Sequence, residues 1–133
     1  MAFRFPVRIY WEDTDAGGIV FYANYLKFFE RARTEWLRSL GVGQHELRER
    51  TGGMFVVSET SVRYLQPARL DDELLVTAEL QEAGRASLVI RQRALLQPGA
   101  AELATGTIRI GWVEAATLRP ARIPAMILEA MKQ

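Results

Sequence analysis

The chain has 133 residues, 49% of them apolar and 25% charged, with a formal net charge of +1. That fits one globular domain over residues 1–133 with enough length for a real core, and it gives no bulk attraction for nucleic acid. Cysteine is absent, which excludes thiol nucleophiles, disulfides and cysteine-rich zinc sites together. No run approaches the ~20 apolar residues of a membrane-spanning helix. The first six residues hold no apolar signal core, so a cytoplasmic protein is expected.

Phe3, Phe5, Val7, Ile9 and Trp11 alternate with Arg4, Pro6, Arg8 and Tyr10. That period of two predicts a strand, and Pro6 places it at a sheet edge or near its own start. Glu12 to Gly18 is predicted as loop. From about Tyr22 to Leu40 the apolar spacing changes to three and four, through Tyr25, Phe28, Phe29, Ala32, Trp36, Leu37 and Leu40. This is a long amphipathic helix, with Asn24 as a plausible N-cap and Gly41 as its stop. Gln44 to Thr51 predicts a short second helix ending at Gly52-Gly53.

Strands follow. Met54 to Leu65 is expected to carry Val56, Ser58, Thr60, Val62 and Tyr64 on one face. Gln66 to Asp72 is a turn region, and in Glu73 to Glu82 Leu74, Val76, Ala78 and Leu80 alternate. Gly84-Arg85 marks a hairpin turn before Ser87 to Gln97, and Pro98-Gly99 marks a second before Ala101 to Glu114. Short links imply antiparallel neighbours. A last helix is predicted from Ala125 to Lys132. The class is α+β: an antiparallel sheet of about five strands burying one long central helix. Such a sheet leaves open edges and apolar surface, so a homodimer or homotetramer is expected.

Several chemistries find no support. The sole histidine, His45, sits on the second helix with no partner pattern, so a serine–histidine–aspartate triad has no base. No Gly-x-Ser-x-Gly elbow, P-loop or dinucleotide fingerprint occurs. Zinc-protease and EF-hand spacings are absent, and no metal site is expected.

What remains is Trp11-Glu12-Asp13-Thr14-Asp15-Ala16-Gly17-Gly18-Ile19-Val20-Phe21-Tyr22-Ala23-Asn24-Tyr25, which joins a strand end to a helix start. A helix start offers unpaired N–H groups and the positive end of a dipole. A carboxylate beside it can act as nucleophile or general base, a pairing suited to acyl transfer. Asp13 and Asp15 also suit a plain turn, since Asp accepts N–H bonds there and Gly17-Gly18 supplies positive φ.

The string from Val7 to Leu26, with Glu30-Arg31-Ala32-Arg33-Thr34-Glu35 after it, resembles the signature of hotdog-fold acyl-CoA thioesterases of the 4-hydroxybenzoyl-CoA thioesterase type. Tyr64-Leu65-Gln66-Pro67-Ala68-Arg69-Leu70-Asp71-Asp72 and Arg119-Pro120-Ala121-Arg122-Ile123-Pro124 resemble the Tol-Pal-associated acyl-CoA thioesterase group. The resemblance implies a hotdog fold, a sheet wrapped around a long helix, assembled as a dimer or dimer of dimers. It implies that Asp15 attacks the thioester carbonyl or activates water, while the backbone N–H of Tyr22 polarises that carbonyl. Gly17, Ile19 and Val20 are then expected to border the substrate. Many Tol-Pal-associated relatives carry histidine where this chain has Tyr22, which removes any imidazole from the chemistry.

The implied substrate is acyl-CoA, or an acyl group on a carrier protein, with no cofactor beyond the coenzyme A of the substrate. Its phosphates need cations. Arg85, with Ser87, in the Gly84–Ser87 turn is the first candidate, against the simpler reading of a solvated hairpin arginine. Arg31 and Glu35, four apart, read as an intrahelical pair. A different class of function keeps the same cleft without turnover: a non-catalytic acyl-CoA or carrier-protein binding module.

Overall fold

The protein was analysed as a computed structural model, in which residues 2–132 are described. In chain order it contains β1 (Phe3–Arg8), a 3-10 turn (Trp11–Asp13), α1 (Asn24–Ser39), α2 (Gln44–Thr51) and β2 (Gly53–Tyr64). Then come β3 (Glu73–Ala83), β4 (Ser87–Gln97), β5 (Ala101–Glu114) and α3 (Ala125–Met131). The five strands form one antiparallel sheet in the order β1-β3-β4-β5-β2.

The sheet closes over α1. Tyr25, Phe28, Phe29, Ala32, Trp36 and Leu37 are buried along one face of the helix. They meet Leu74, Val76 and Ala78 of β3, Leu88, Ile90 and Ala94 of β4, and Ala104, Ile108, Ile110 and Trp112 of β5. Each fully buried side chain of the size of Phe28 or Phe29 contributes about 1.5–3 kcal/mol. This single aromatic stripe therefore fixes the helix to the sheet. The helix ends as the glycine predicts: Gly41 N–H donates to Arg38 C=O and Val42 N–H to Leu37 C=O, with Gly41 at φ +81°. That is the paired closure of a Schellman turn.

Four expectations change. Trp11 does not continue the first strand's buried face, because the chain leaves the sheet after Arg8 and turns through a 3-10 helix that leaves Trp11 80% exposed. Asn24 is the first helical residue rather than the cap. Its amide instead donates to Asp13 C=O at 2.9 Å and ties the loop to the helix. In β2 a bulge between Val57 and Glu59 inserts one residue. Phe55, Val57, Thr60, Val62 and Tyr64 therefore pair with Trp112, Ile110, Ile108, Gly106 and Ala104, so Val56 and Ser58 fall on the opposite face from the one expected. Glu35 pairs with Arg38, not with Arg31.

The register defines two ends of the sheet. At one, β1, β2 and β4 finish and β3 and β5 begin; the segments 9–23 and 65–72 cross it. At the other lie the turn 84–86, α2 and the tail leading into α3, joined by Ala115 N–H to Gly52 C=O and Ile123 N–H to Arg85 C=O.

Candidate active site

Segment 12–22 is folded back on itself at the first end of the sheet. Thr14 and Val20 form an isolated antiparallel bridge, and Asp15 N–H donates to Ile19 C=O at 2.9 Å. Gly18, at φ +79°, turns the chain within this short hairpin. Ile19 bridges to Arg69, and Val20 N–H donates to Ala68 C=O at 2.9 Å. The two motif strings of the sequence are thus bonded edge to edge.

The two aspartates separate here. Asp13 is structural: its Oδ2 accepts from Tyr10 N–H at 2.8 Å, and its carbonyl accepts from both Phe21 N–H and the Asn24 amide. Asp15 is exposed and makes the turn contact the residue type predicts, with Oδ1 accepting from Gly17 N–H at 2.8 Å. Among the described residues its Oδ2 accepts from no donor. The carboxylate is oriented by one oxygen and open through the other.

Beside this turn lies a groove of about 270 Å³ lined by Ile19, Val20, Tyr22, Tyr25, Tyr64, Leu65, Gln66 and Pro67. Its walls are apolar and aromatic, with the Tyr22 and Tyr64 rings 6.0 Å apart and Tyr25 and Tyr64 5.6 Å apart. Burial raises the Tyr25 phenol above its usual range, opposed by a backbone hydrogen bond at Ala68. Burial also raises Tyr64, with Tyr22 adding to it. Just before α1, the N–H groups of Tyr22 and Ala23 donate to no backbone acceptor among the described residues. They stand at the positive end of a sixteen-residue helix.

Of the residues singled out in the sequence, Ile19, Val20 and Tyr22 share this groove; Asp15 and Gly17 are not among its walls but form the turn whose backbone bonds to Ile19. Arg85 and Ser87 do not join them. They lie at the opposite end of the sheet, where Ser87 faces Gly111 and its Oγ accepts from Arg109 at 3.4 Å. His45 is exposed and pairs with Glu49 along α2. Asp72 closes its own loop by accepting from Arg69 N–H, and Asp71 takes φ +70°.

Sequence reasoning treated Tyr25 as core and gave the Tyr64–Pro67 string no role, yet these supply five of the eight residues that line the groove. Their only sequence signal is membership of the second motif; the pairing of that motif with the first is tertiary. Among the described residues no cluster of three His, Cys, Asp or Glu side chains could hold a metal ion, and no helix is long and apolar enough to cross a membrane.

Comparison with known proteins agrees with this architecture. An acyl-CoA thioesterase YbgC from Haemophilus influenzae is 41% identical over 128 residues, covering 96% of this chain and 93% of that protein. A YbgC from Helicobacter pylori is 32% identical, covering 93% of this chain and 96% of its own length. The crystal structure of a probable thioesterase from Bartonella henselae superposes with a TM-score of 0.85 at 30% identity, over 93% of this chain and all of that one. A 1,4-dihydroxy-2-naphthoyl-CoA thioesterase from Synechocystis shares the fold, at a TM-score of 0.92 and 20% identity, over 100% of this chain and 97% of that one. The thioesterase-like superfamily matches residues 9–131, and with full-length relatives above 30% identity the chain belongs to that family, as a hotdog-fold thioesterase.

Proposed function

We propose that this chain hydrolyses acyl-CoA to a free acid and coenzyme A, with Asp15 as the working carboxylate. The observation that carries the reading is the difference between the two aspartates: Asp13 is half-buried and holds the loop through its carbonyl and one carboxylate oxygen, whereas Asp15 is exposed on a turn whose backbone bonds to Ile19, a wall residue of the aromatic groove. The names of the full-length relatives support the substrate class.

The thioester carbonyl sits with its oxygen toward the Tyr22 N–H, whose hydrogen bond strengthens as that oxygen gains negative charge. Asp15 either attacks the carbonyl carbon itself or takes a proton from the water that does. The tetrahedral intermediate collapses with loss of the coenzyme A thiolate, a good leaving group that needs little help from an acid. In the first route water then cleaves the mixed anhydride at the same carbon. Neither route calls for a metal or redox cofactor. Gly17 gives the turn its N–H for Asp15, while Ile19 and Val20 shape the wall next to the reacting carbon.

The functional unit is a homodimer joined through β2. This edge is twelve residues long and lacks proline, and it leaves Val57 and Tyr64, with Leu65 just past its end, about half exposed. Antiparallel pairing of two β2 strands reverses one copy relative to the other. It carries the partner's Gly84–Ser87 turn to the end of the sheet where Asp15 lies. With strands ~4.8 Å apart, that turn comes within a few strand spacings of the mouth. Arg85 and Ser87 then serve the coenzyme A phosphates across the interface, although they cannot do so within one chain. The substrate's coenzyme A implies a cytoplasmic setting.

A thiol-release assay over short, long and aromatic acyl-CoAs tests the reading. Turnover in the native protein, and its loss in Asp15→Asn with an unchanged melting curve, is the expected result. A protein that binds acyl-CoA without releasing thiol from any of them is instead a binding module.

A further inference from the structure

A second groove, of about 330 Å³, opens farther along α1, between that helix and β2. Leu37, Phe55, Val57 and Ile110 make it apolar, but one wall carries the guanidinium of Arg33. Three facts set this arginine apart. It is half-buried, and burial lowers its pKa while nearby Glu30 opposes the change. Among the described residues no carboxylate lies within ion-pair distance of it; Glu30, on the same wall, accepts from Thr34 instead. And it is aimed: its Nη1 donates to Gln92 Oε1 at 2.9 Å, while the fully buried Gln92 amide is itself fixed by Phe29 C=O and Thr77 C=O.

A partly desolvated cation without a carboxylate is costly unless something else compensates it. Among the described residues only one of its five N–H donors is used, and its other nitrogens are not sealed off from solvent. The Gln92 support spends buried hydrogen bonds on holding the fork in one orientation, which is how a recognition site is kept ready. The groove lies on the same seam as the candidate active site. Leu26, Glu30, Arg33 and Leu37 fall at helical spacing on one stripe of α1 that starts beside Tyr22. At 1.5 Å per residue, Arg33 stands about 14 Å along the helix from its start at Asn24, beside Tyr22, the reach of a long acyl chain rather than of a benzoyl ring.

We propose that this groove receives the far end of the acyl group and that Arg33 selects acyl chains ending in a carboxylate, the anion a planar guanidinium fork pairs with in two-point fashion. The inference rests on the acyl-CoA reading above in taking a coenzyme A thioester as the occupant. Arg33 is a specificity residue and takes no part in breaking the thioester.

The test uses hydrolysis-resistant probes so that binding is read apart from turnover. Calorimetric titration of the full chain compares an S-dodecyl-CoA thioether with its counterpart ending in a carboxylate. The native protein is expected to prefer the carboxylate-ended probe by about tenfold, the size of one charge-assisted pair. Arg33→Met, which keeps the length and removes the charge, should abolish the preference while binding the plain alkyl probe as before. Arg33→Lys keeps the charge without the fork and should retain part of it; this variant decides the matter if Arg33→Met does not fold. Equal affinity for both probes in the native protein overturns the proposal, as does equal weakening of both by either variant. Hydrolysis of dodecanoyl-CoA and dodecanedioyl-CoA is followed in parallel. Failure of turnover with the binding preference intact would count against the thioesterase reading alone.

Discussion

The two ends of the sheet are built for different work. Among the described residues, the end crossed by segments 9–23 and 65–72 keeps N–H groups without a backbone acceptor, an exposed carboxylate and exposed tyrosines. The other end, with α2 and the tail into α3, is closed by buried Ile123, Ile127 and Met131, and its backbone is bonded across the loops. Both ends come from the same antiparallel register, so the difference lies in the connecting loops. Where loops bond mainly to one another, donors are left over for a ligand; where they are packed with aliphatic side chains, the result is stability. Substitutions at the first end should therefore change catalysis without unfolding the chain, and those at the second should do the reverse.

The largest expected effect is at the open end. Asp15→Asn should lower kcat/KM about a thousandfold, or about 4 kcal/mol in the barrier, with the melting temperature unchanged. Steady-state thiol release together with calorimetry checks both halves. Next comes the edge between the ends. Val57→Arg puts an exposed charge on β2 and should break the proposed β2 dimer into monomers in light scattering, with activity falling if the proposed reach of Arg85 across that edge holds.

At the closed end, Gly53→Ala places a Cβ inside the space filled by the Trp112 ring. It should destabilise the fold by about 1–3 kcal/mol in urea unfolding while leaving kcat of the folded fraction intact. Arg85→Ala is a smaller change, about 1 kcal/mol, seen as a several-fold rise in KM for acyl-CoA but none for the matching acyl-pantetheine, which lacks the phosphates. A rise for both substrates would mean that the turn acts on the fold instead.

The smallest effect is a pH dependence at the groove. Burial raises the Tyr25 phenol, so its folded pKa lies above the ordinary 10.0. Below pH 10 both states hold the proton and its contribution is complete; as the pH climbs through the folded value, the unfolded chain has already ionised and that stability is lost. Tyr25→Phe should flatten this alkaline decline in urea midpoints taken on either side of pH 10.

Much of this was legible in the chain itself. Helical spacing from Tyr25 to Leu37 located the central helix, Gly41 and Gly52 marked two helix ends, and the Gly84-Arg85 and Pro98-Gly99 turns bounded three strands. These are local signals, set by side-chain period and backbone freedom within a few residues. Pro6 likewise announced an edge strand. The motif around Asp15 was readable for the same reason, since strand end, turn and helix start are contiguous.

Tertiary structure decided the rest. The bulge at Ser58, which sets Val57 opposite Ile110 and shifts the face on which Val56 and Ser58 fall, depends on register with β5 and has no local signal. That Asp13 is half-buried and ties the loop together while Asp15 stays exposed is visible only in the folded loop. Tyr64 and Tyr22 became one wall only when two segments forty residues apart were bonded through Val20 and Ala68. Arg33 read as one more helical arginine until Gln92, brought from β4, fixed its direction. Periodicity determines which face of an element is apolar; pairing between distant segments determines which polar atoms remain free, and those free atoms are what a substrate meets.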